Sequence, residues 1–495
     1  MPEDNSTSGH DNHGSMGSRG VTRSSMDMGD GEMTPEMRRK MRDKHHQQTE
    51  WIWWTLILLG VWMVAAPFSF DYGHNPASPA ASDASPLSMQ TRINGMIWSD
   101  VISGLLLIVL GWRSLKPGRP ITLWAACFVG IWMNAAPLVF WSPSAAGYLN
   151  NTIVGTLVIA FTILIPGMPS MIMMMKMGPE VPRGWTYNPS SWPQRAIMIG
   201  LGFAGWLVSR YLSAYQLGYI DYAWDPFFGK STMSVLESNV SRSLPVSDAG
   251  LGALAYTIEF LMGYMGGTSR WRTMPWMVTF FGILVVPLGL THIVLVISQP
   301  VIVGQWCTFC LLAALIMLPM IPLTLDEVVA MCQFMVQAKR EGKPFWKTFW
   351  KGGTVEGEGA DERSPRLTAK PSQVWSAMVW GMTAPWTLVV CTAAGFWLML
   401  APWVLNVSGD IASGTQVAGA LIITVSVVVM AEVARAGRFL NILLALWIVA
   451  LPWLYGGVST LFMANNVVLG IALIALSIPR GTIKQRYGSW DRFIV

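Results

Sequence analysis

The chain has little charge. Only 12% of its 495 residues are charged, whereas 52% are hydrophobic. A soluble globular domain carries roughly 25% charged residues, so the composition excludes a soluble protein and favours one that lies in a lipid bilayer. No charged side chain occurs in residues 51–70, 120–141 or 147–175. Each of these runs is long enough for a helix to cross the bilayer core, which takes about 20 apolar residues.

The sequence also lacks the alternation of apolar and polar residues that membrane strands show, which leaves the helix as the state of the spans. We therefore predict an all-α integral membrane protein with about twelve transmembrane helices and a central four-helix bundle. The predicted spans are 51–70, 96–112, 120–140, 149–170, 196–219, 249–267, 274–297, 304–324, 376–403, 414–434, 438–455 and 463–479.

No cleavable signal peptide is recognisable, because the first 50 residues are polar and the first apolar run is too long and too late. Lys and Arg are concentrated in alternate loops. The loops between these are nearly free of both residues, and none occurs in 141–148, 298–303, 404–413 or 456–462. This distribution predicts a multi-pass protein of the cell membrane with both termini in the cytoplasm. It also accounts for the net charge of +5, so we predict no nucleic-acid partner.

An apolar pattern that contains tryptophan recurs along the chain. It reads GVWMVAAP at 60–67, GIWMNAAP at 130–137 and GFWLMLAP at 395–402, with a weaker copy, LWIVALP, at 446–452. Its Gly and Ala permit close helix approach, and its Pro is expected to end the helix. The Trp is expected in the interfacial belt or between helices. Asn94, Asn151 and Asn466 lie near the starts of three of the helices that follow these copies.

We interpret each copy as part of a two-helix unit, with two units in 51–175 and two in 376–480. These units resemble the SPW repeat, a small bacterial membrane module. They contain almost no ionisable residues, so we interpret them as structural packing.

A different block, 190–325, lies between the repeat pairs and contains four spans. The hydrophilic segment 326–375 follows it and is poor in apolar residues, which predicts a flexible cytoplasmic linker. Residues 1–50 are predicted to form a disordered cytoplasmic tail, and residues 481–495 a second cytoplasmic tail.

The chain has five cysteines. Cys307 and Cys310 form a Cys-x-x-Cys motif at the predicted outer end of the eighth span. At a helix start this spacing lets the sulfurs form a disulfide, and the unpaired N–H groups of the first turn stabilise a thiolate. The pair is a redox site, a pair of inert thiols or half of a metal site. No second Cys pair or His cluster is visible in the outer loops, so we predict no metal ligands.

The sequence around this motif resembles that of a known family. GQWCTFCLLAAL at 304–315, after THIVLVISQPVIV at 291–303, is similar to the last helix of the vitamin K epoxide reductase family. SVLES at 234–238, LPV at 244–246 and GLGALAY at 250–256 resemble the outer loop and second helix of that family.

The resemblance implies a four-helix bundle around a quinone. Cys310 would face the quinone, Cys307 would exchange electrons with a pair of loop cysteines, and Ser238 would be the loop serine. Members oxidise the thiols of a thioredoxin-like partner and reduce the quinone. In this chain the outer loop 220–248 contains no cysteine. Either Cys307 takes electrons directly from an extracytoplasmic partner, or the domain has kept the fold and lost the reaction.

The predicted spans of the central block contain one Glu, one His and one Arg. Glu259 and His292 are costly to bury and are therefore candidates for a proton relay beside the quinone. The alternative is that they are hydrogen-bonded packing groups. Arg210 is expected to reach toward the outer surface or to pair with a loop carboxylate.

The N-terminal tail contains His and Met side chains, which suit Cu(I). They are His10, His13, His45, His46, Met16, Met26, Met28, Met33, Met37 and Met41, and a second Met group lies at 171–177. The alternative is a basic tail without a fixed geometry.

Three functions are therefore open: a quinone-coupled thiol–disulfide oxidoreductase, a non-catalytic membrane scaffold that binds a quinone or lipid, and a protein that handles copper or a small solute.

Overall fold

The computed structural model of the protein describes residues 35–73, 76–77, 85–164, 178–455 and 459–494. These residues are mostly helical and form only three isolated β-bridges. The α-helices are α1 Pro35–Phe70, α2 Met89–Ser114, α3 Pro120–Val139, α4 Ala145–Ile159, α5 Trp192–Gln216, α6 Ser231–Leu236, α7 Asp248–Tyr264, α8 Arg270–Thr273, α9 Pro275–Ser298, α10 Thr308–Arg340, α11 Phe345–Lys351, α12 Pro371–Met378, α13 Trp386–Val404, α14 Asp410–Val428, α15 Leu440–Tyr455 and α16 Thr460–Ser477.

Within the described part of the chain, 11 helices are long and apolar enough to cross a membrane. The sixth predicted span, 249–267, corresponds to α7, which has only 17 residues. The all-α membrane fold is therefore confirmed. We call the side of the molecule that contains Cys307 and Cys310 the disulfide face and the other side the opposite face.

Helices α1 to α4 form the first repeat pair and α13 to α16 the second. The glycines of the recurring pattern bring the two helices of each unit into contact. A Cβ on Gly104 would lie 2.6 Å from the Gly60 carbonyl oxygen, and one on Gly419 would lie 2.7 Å from that of Gly395. Close approach was predicted from the small residues, and these distances confirm it.

The tryptophans of the pattern lie between helices. The Trp62 indole N–H donates to Asn150 (2.7 Å), that of Trp132 to Ser99 (3.0 Å) and that of Trp397 to Asn465 (2.8 Å). Each bond joins the first helix of one unit to the second helix of the other unit in the same pair. Two units therefore assemble as one bundle whose halves are related by approximate twofold symmetry.

Helices α5, α7, α9 and α10 form the central bundle. Its core contains Met198, Tyr256, Phe281, Met317 and Met320, all of them buried. A π-helical turn, Gln299–Val303, follows α9, and Gly304 has a positive φ of 70°. This conformation favours glycine, and it turns the chain into α10.

Two expectations from composition were wrong. Helix α1 begins at Pro35, 16 residues before the predicted span, because its polar first part packs near α2: the His46 ring nitrogen Nε2 lies 2.9 Å from the Leu115 carbonyl oxygen. The predicted flexible linker 326–375 is ordered instead. It contains the end of α10 together with α11 and α12, and Val355 is buried.

Candidate redox site

Cys307 and Cys310 are joined by a disulfide at the start of α10, with their Cα atoms 5.3 Å apart. Cys307 is the N-cap residue, and the Cys310 backbone N–H donates to its sulfur (3.1 Å). The Cys307 N–H in turn donates to Gln299 Oε1 (2.9 Å). Because the first-turn N–H groups of a helix favour negative charge, this position stabilises a thiolate on Cys307 when the bond is reduced.

The outer loop covers the disulfide. Cys307 is 0% exposed and packs in a cluster with Leu212 of α5 and with Ala223, Val235 and Leu236 of the loop and α6. Cys310 is half-buried. Cys307 is therefore shielded from water, because α6 and the loop before it fold over the start of α10.

Asp225 anchors this loop to Thr308, the residue that follows Cys307. Its carboxylate accepts from the Thr308 backbone N–H (3.1 Å) and hydroxyl (2.6 Å), from the backbone N–H groups of Phe227 (2.9 Å) and Phe228 (2.8 Å), and from the Thr232 hydroxyl. Burial acts to raise the pKa of Asp225, but these donors outweigh it and hold the pKa well below its ordinary value. Asp225 is thus an anion that bridges the loop to the residue between the two cysteines.

A second polar group lies inside the bundle. The Tyr256 hydroxyl donates to the Ala313 carbonyl (3.2 Å) and lies 3.4 Å from His292 Nε2. His292 Nδ1 lies 2.9 Å from the Leu288 carbonyl oxygen. A carbonyl only accepts, so this contact assigns the hydrogen to Nδ1 and leaves Nε2 as an acceptor in the neutral ring.

Glu259 belongs to the same helix as Tyr256, one turn further along. Its side chain is 1% exposed, and neither carboxylate oxygen has a hydrogen-bond partner. A buried carboxyl group without partners is costly. It therefore stands out as a group available to a ligand or a proton.

The structure does not place all the predicted residues together. The two cysteines are bonded, and His292 contacts Tyr256. The Ser238 hydroxyl instead donates to the Val235 carbonyl (2.7 Å) within its own loop. Arg210, expected at the outer surface, donates to the Thr152 hydroxyl of α4 (2.9 Å).

Sequence reasoning missed Asp225 and Tyr256. The Asp-Pro pair at 225–226 marks a turn, but its partner Thr308 lies 83 positions away. Tyr256 is three residues from Glu259 and shares a helix face with it, and this spacing is the signal that would have identified it.

The described residues contain no group of three or more His, Cys, Asp or Glu that could hold a metal ion. His10, His13 and most of the methionines singled out for copper lie outside the described residues, as does the Met group at 171–177.

Comparison with known proteins agrees with this architecture. Residues 196–325 match the Vitamin K epoxide reductase family, and residues 50–164 and 385–479 match the SPW repeat domain. The first match lies between the two segments of the second, so both predicted resemblances are confirmed. No curated protein and no solved structure matches the chain. The protein is thus a multi-pass membrane protein whose central domain matches the model of an oxidoreductase family.

Proposed function

We propose that the central domain oxidises pairs of thiols in an extracytoplasmic, thioredoxin-like protein and passes the electrons to a membrane quinone. The observation that carries this proposal is the Cys307–Cys310 disulfide at the start of α10, with the Cys310 N–H donating to the Cys307 sulfur. A disulfide held at a helix start has a stabilised leaving thiolate, which is what thiol exchange requires.

The proposal includes an orientation in the cell membrane, with both termini in the cytoplasm and the disulfide face outside. The distribution of Lys and Arg supports it. Arg113 lies in the last turn of α2, and Lys116 and Arg119 lie between α2 and α3, whereas the loop 141–148 has neither residue type. Basic residues in short loops favour the cytoplasmic side.

The exchange begins when a partner thiolate attacks the Cys307 sulfur. A partner–Cys307 disulfide forms, and Cys310 leaves as a thiolate. The second partner thiolate then attacks the partner sulfur of that bond and releases Cys307 as a thiolate. The partner loses two electrons and the Cys307–Cys310 pair gains them. Because Cys307 is buried, the segment around Asp225 has to lift before the attack.

Polar side chains inside the bundle support a ligand with carbonyl oxygens. Tyr256 and His292 carry groups that form hydrogen bonds, and Glu259 has two buried oxygens without partners. These three side chains would hold a quinone, with Glu259 keeping a proton on its carboxyl group. A bound quinone would accept the two electrons that Cys307 and Cys310 release when their disulfide forms again. The loop and α6 exclude water from this site.

The alternative is a membrane scaffold that binds a quinone or lipid without turnover. The absence of cysteines from the loop 220–248 and the complete burial of Cys307 favour it.

The test uses the full chain in lipid nanodiscs with a reduced thioredoxin-like protein and a short-chain quinone. We expect quinone reduction coupled to thiol oxidation, loss of both activities in Cys307→Ala and Cys310→Ala, and retention in the matched control Cys391→Ala. With an oxidised partner, the reverse attack should trap a mixed disulfide in Cys310→Ala and none in Cys307→Ala. A wild-type protein that binds quinone yet couples no thiol oxidation to its reduction would leave the scaffold as the function.

A further inference from the structure

Each repeat pair brings two polar side chains together at its centre. In each helix the polar residue lies four positions before the glycine that contacts the neighbouring helix. The equivalent polar residues are Asp100, Asn151, Thr415 and Asn466. All four side chains are 0% exposed. In the first pair Asn151 Nδ2 donates to Asp100 Oδ2 (3.1 Å), and in the second Asn466 Nδ2 donates to Thr415 Oγ1 (3.4 Å). The approximate symmetry of each pair therefore brings the second helices of its two units together at one buried polar contact.

The first pair differs from the second because one member is an acid. Asp100 is the twelfth residue of α2, about 17 Å along the helix axis from its first residue at 1.5 Å per residue. A carboxylate at this depth of a membrane is costly, and acids that occur there mark functional sites by default. The expectation that the repeats are packing modules alone gave no role to this residue.

Both hydrogen bonds of the Asp100 carboxylate go to the same oxygen, Oδ2. Its Oδ2 accepts from the Tyr72 hydroxyl (2.5 Å) and from Asn151. Its Oδ1 has no partner, and neither does Asn151 Oδ1. The Asn151 amide cannot be turned round to correct this, because its nitrogen also donates to the Gly147 carbonyl (3.2 Å), which only accepts. Two buried acceptor oxygens therefore lack a donor.

No Lys or Arg among the described residues bonds to the Asp100 carboxyl group. Tyr72, at the end of α1, is the titratable side chain that bonds to it, and α4 contributes the neutral Asn151. Arg92 lies on α2 two turns earlier, but its guanidinium donates to the carbonyls of Trp141 (2.7 Å) and Ala77 (3.0 Å). This environment therefore favours the neutral form of the Asp100 carboxyl group over the charged form.

We propose that Asp100 is a proton-binding site at the centre of the first repeat pair, with the Tyr72 hydroxyl as its connection to the disulfide face. One proton added to Oδ1 converts that acceptor into a donor and removes the uncompensated charge. Proton binding changes no oxidation state and needs no other reactant. A hard metal cation would require roughly six oxygen ligands, whereas the Asp100 and Asn151 side chains offer two oxygens without partners, one each. The inference goes beyond the proposed redox function and does not depend on it.

The site is tested by infrared difference spectroscopy of the full chain in lipid bilayers during a pH titration. The carbonyl stretch of a protonated carboxyl group is recorded for the wild type, Asp100→Asn and the control Glu259→Gln. We expect a band that loses intensity as the pH rises, is absent from Asp100→Asn and persists in Glu259→Gln. Asparagine is close in shape to the neutral acid, so Asp100→Asn should fold. Tyr72→Phe should move the band to higher frequency, because Oδ2 loses a donor.

The second repeat pair supplies a matched control. Thr415→Asp places an acid beside Asn466, in the arrangement of the first pair, and should add a second titrating band. Spectra of Asp100→Asn that equal those of the wild type at every pH would overturn the proposal. So would loss of the Asp100 band on addition of sodium ions at constant pH, which would make the ligand a metal cation.

Discussion

At the scale of single residues, Asp225 anchors the loop that covers the disulfide. It is the only described carboxylate that bonds to Thr308, the residue after Cys307, and it anchors the loop that buries Cys307. The same anion lies at the helix start where a Cys307 thiolate forms, and like charges disfavour each other. We therefore expect Asp225 to hold the loop over Cys307 and to disfavour the thiolate form of Cys307.

Asp225→Asn should make Cys307 more reactive. Hydrogen bonds to a charged group contribute about 1.5–3 kcal/mol, so weakening them should raise the open population roughly 10- to 100-fold. The rate at which reduced protein is alkylated at Cys307, read by peptide mass spectrometry, measures this. Asp221→Asn, an exposed acid of the same loop, is the control and should leave the rate unchanged. Equal rates in both variants and the wild type would show that Asp225 does not hold the loop.

The pH dependence of this effect follows from the lowered pKa of Asp225. A carboxyl group whose pKa is lowered by folding contributes stability above its ordinary pKa, which is about 4 for Asp. That contribution is lost only as the pH falls through the folded value. The ratio of the alkylation rates of Asp225→Asn and wild type, each divided by the thiolate fraction of Cys307 at that pH, should therefore stay constant from about pH 5 to 8.

At the scale of elements, the sequence predicted the helix contacts that depend on the local residue pattern. Glycines at fixed positions indicated close helix contacts, and the structure has them at Gly60 and Gly104. The partner of each Trp could not be predicted, because the hydrogen bond of Trp62 to Asn150 spans 88 positions and needs the assembled pair. The prediction of a flexible linker at 326–375, which was made from composition, was wrong. The burial of Val355 depends on what the segment packs against and not on the polarity of the segment.

The glycine contacts give a prediction at this scale. In Gly104→Ala the new Cβ would lie 2.6 Å from the Gly60 carbonyl oxygen and 2.9 Å from the Val64 backbone nitrogen, so α1 would have to move away. Overpacking of this kind costs typically 1–3 kcal/mol, so thermal unfolding in detergent should begin at a lower temperature. The control is Gly200→Ala on α5, where a Cβ meets nothing within 4 Å and helix propensity improves. A Gly104→Ala protein as stable as the wild type would mean that the helices need no close approach.

At the scale of the whole molecule, buried acids on the opposite face join the central bundle to the chain around it. Glu327 of α10 forms a paired ion bridge with Arg270 (2.6 and 2.7 Å), and its neighbour Asp326 accepts from the Tyr187 hydroxyl (2.6 Å). Glu432, between α14 and α15, accepts from the Tyr487 hydroxyl (2.9 Å). Removing one partner of a buried pair is strongly destabilising, so these contacts hold the units in one arrangement.

The C-terminal segment was predicted to be a tail, yet it is built into this face. Glu432 is 0% exposed and accepts from the backbone N–H groups of Lys484 (2.9 Å) and Gln485 (3.0 Å) as well as from Tyr487. The Tyr487 ring, also 0% exposed, packs edge-on against Trp185 and Tyr187. The segment therefore connects the second repeat pair to the chain that enters the central bundle.

Tyr487→Ala should loosen this connection. The change removes a buried ring, which costs about 3–5 kcal/mol for a large aromatic side chain, and takes one donor from the buried Glu432. We expect a lower unfolding temperature and faster proteolytic cleavage between residues 480 and 487, where the backbone N–H groups that bond to Glu432 lie. Phe493→Ala in the same segment is the control, because Phe493 is 46% exposed and should change neither property. Cleavage at the wild-type rate in Tyr487→Ala would show that the backbone bonds to Glu432 hold the segment without the ring, and Glu432→Ala would then be the change that releases it.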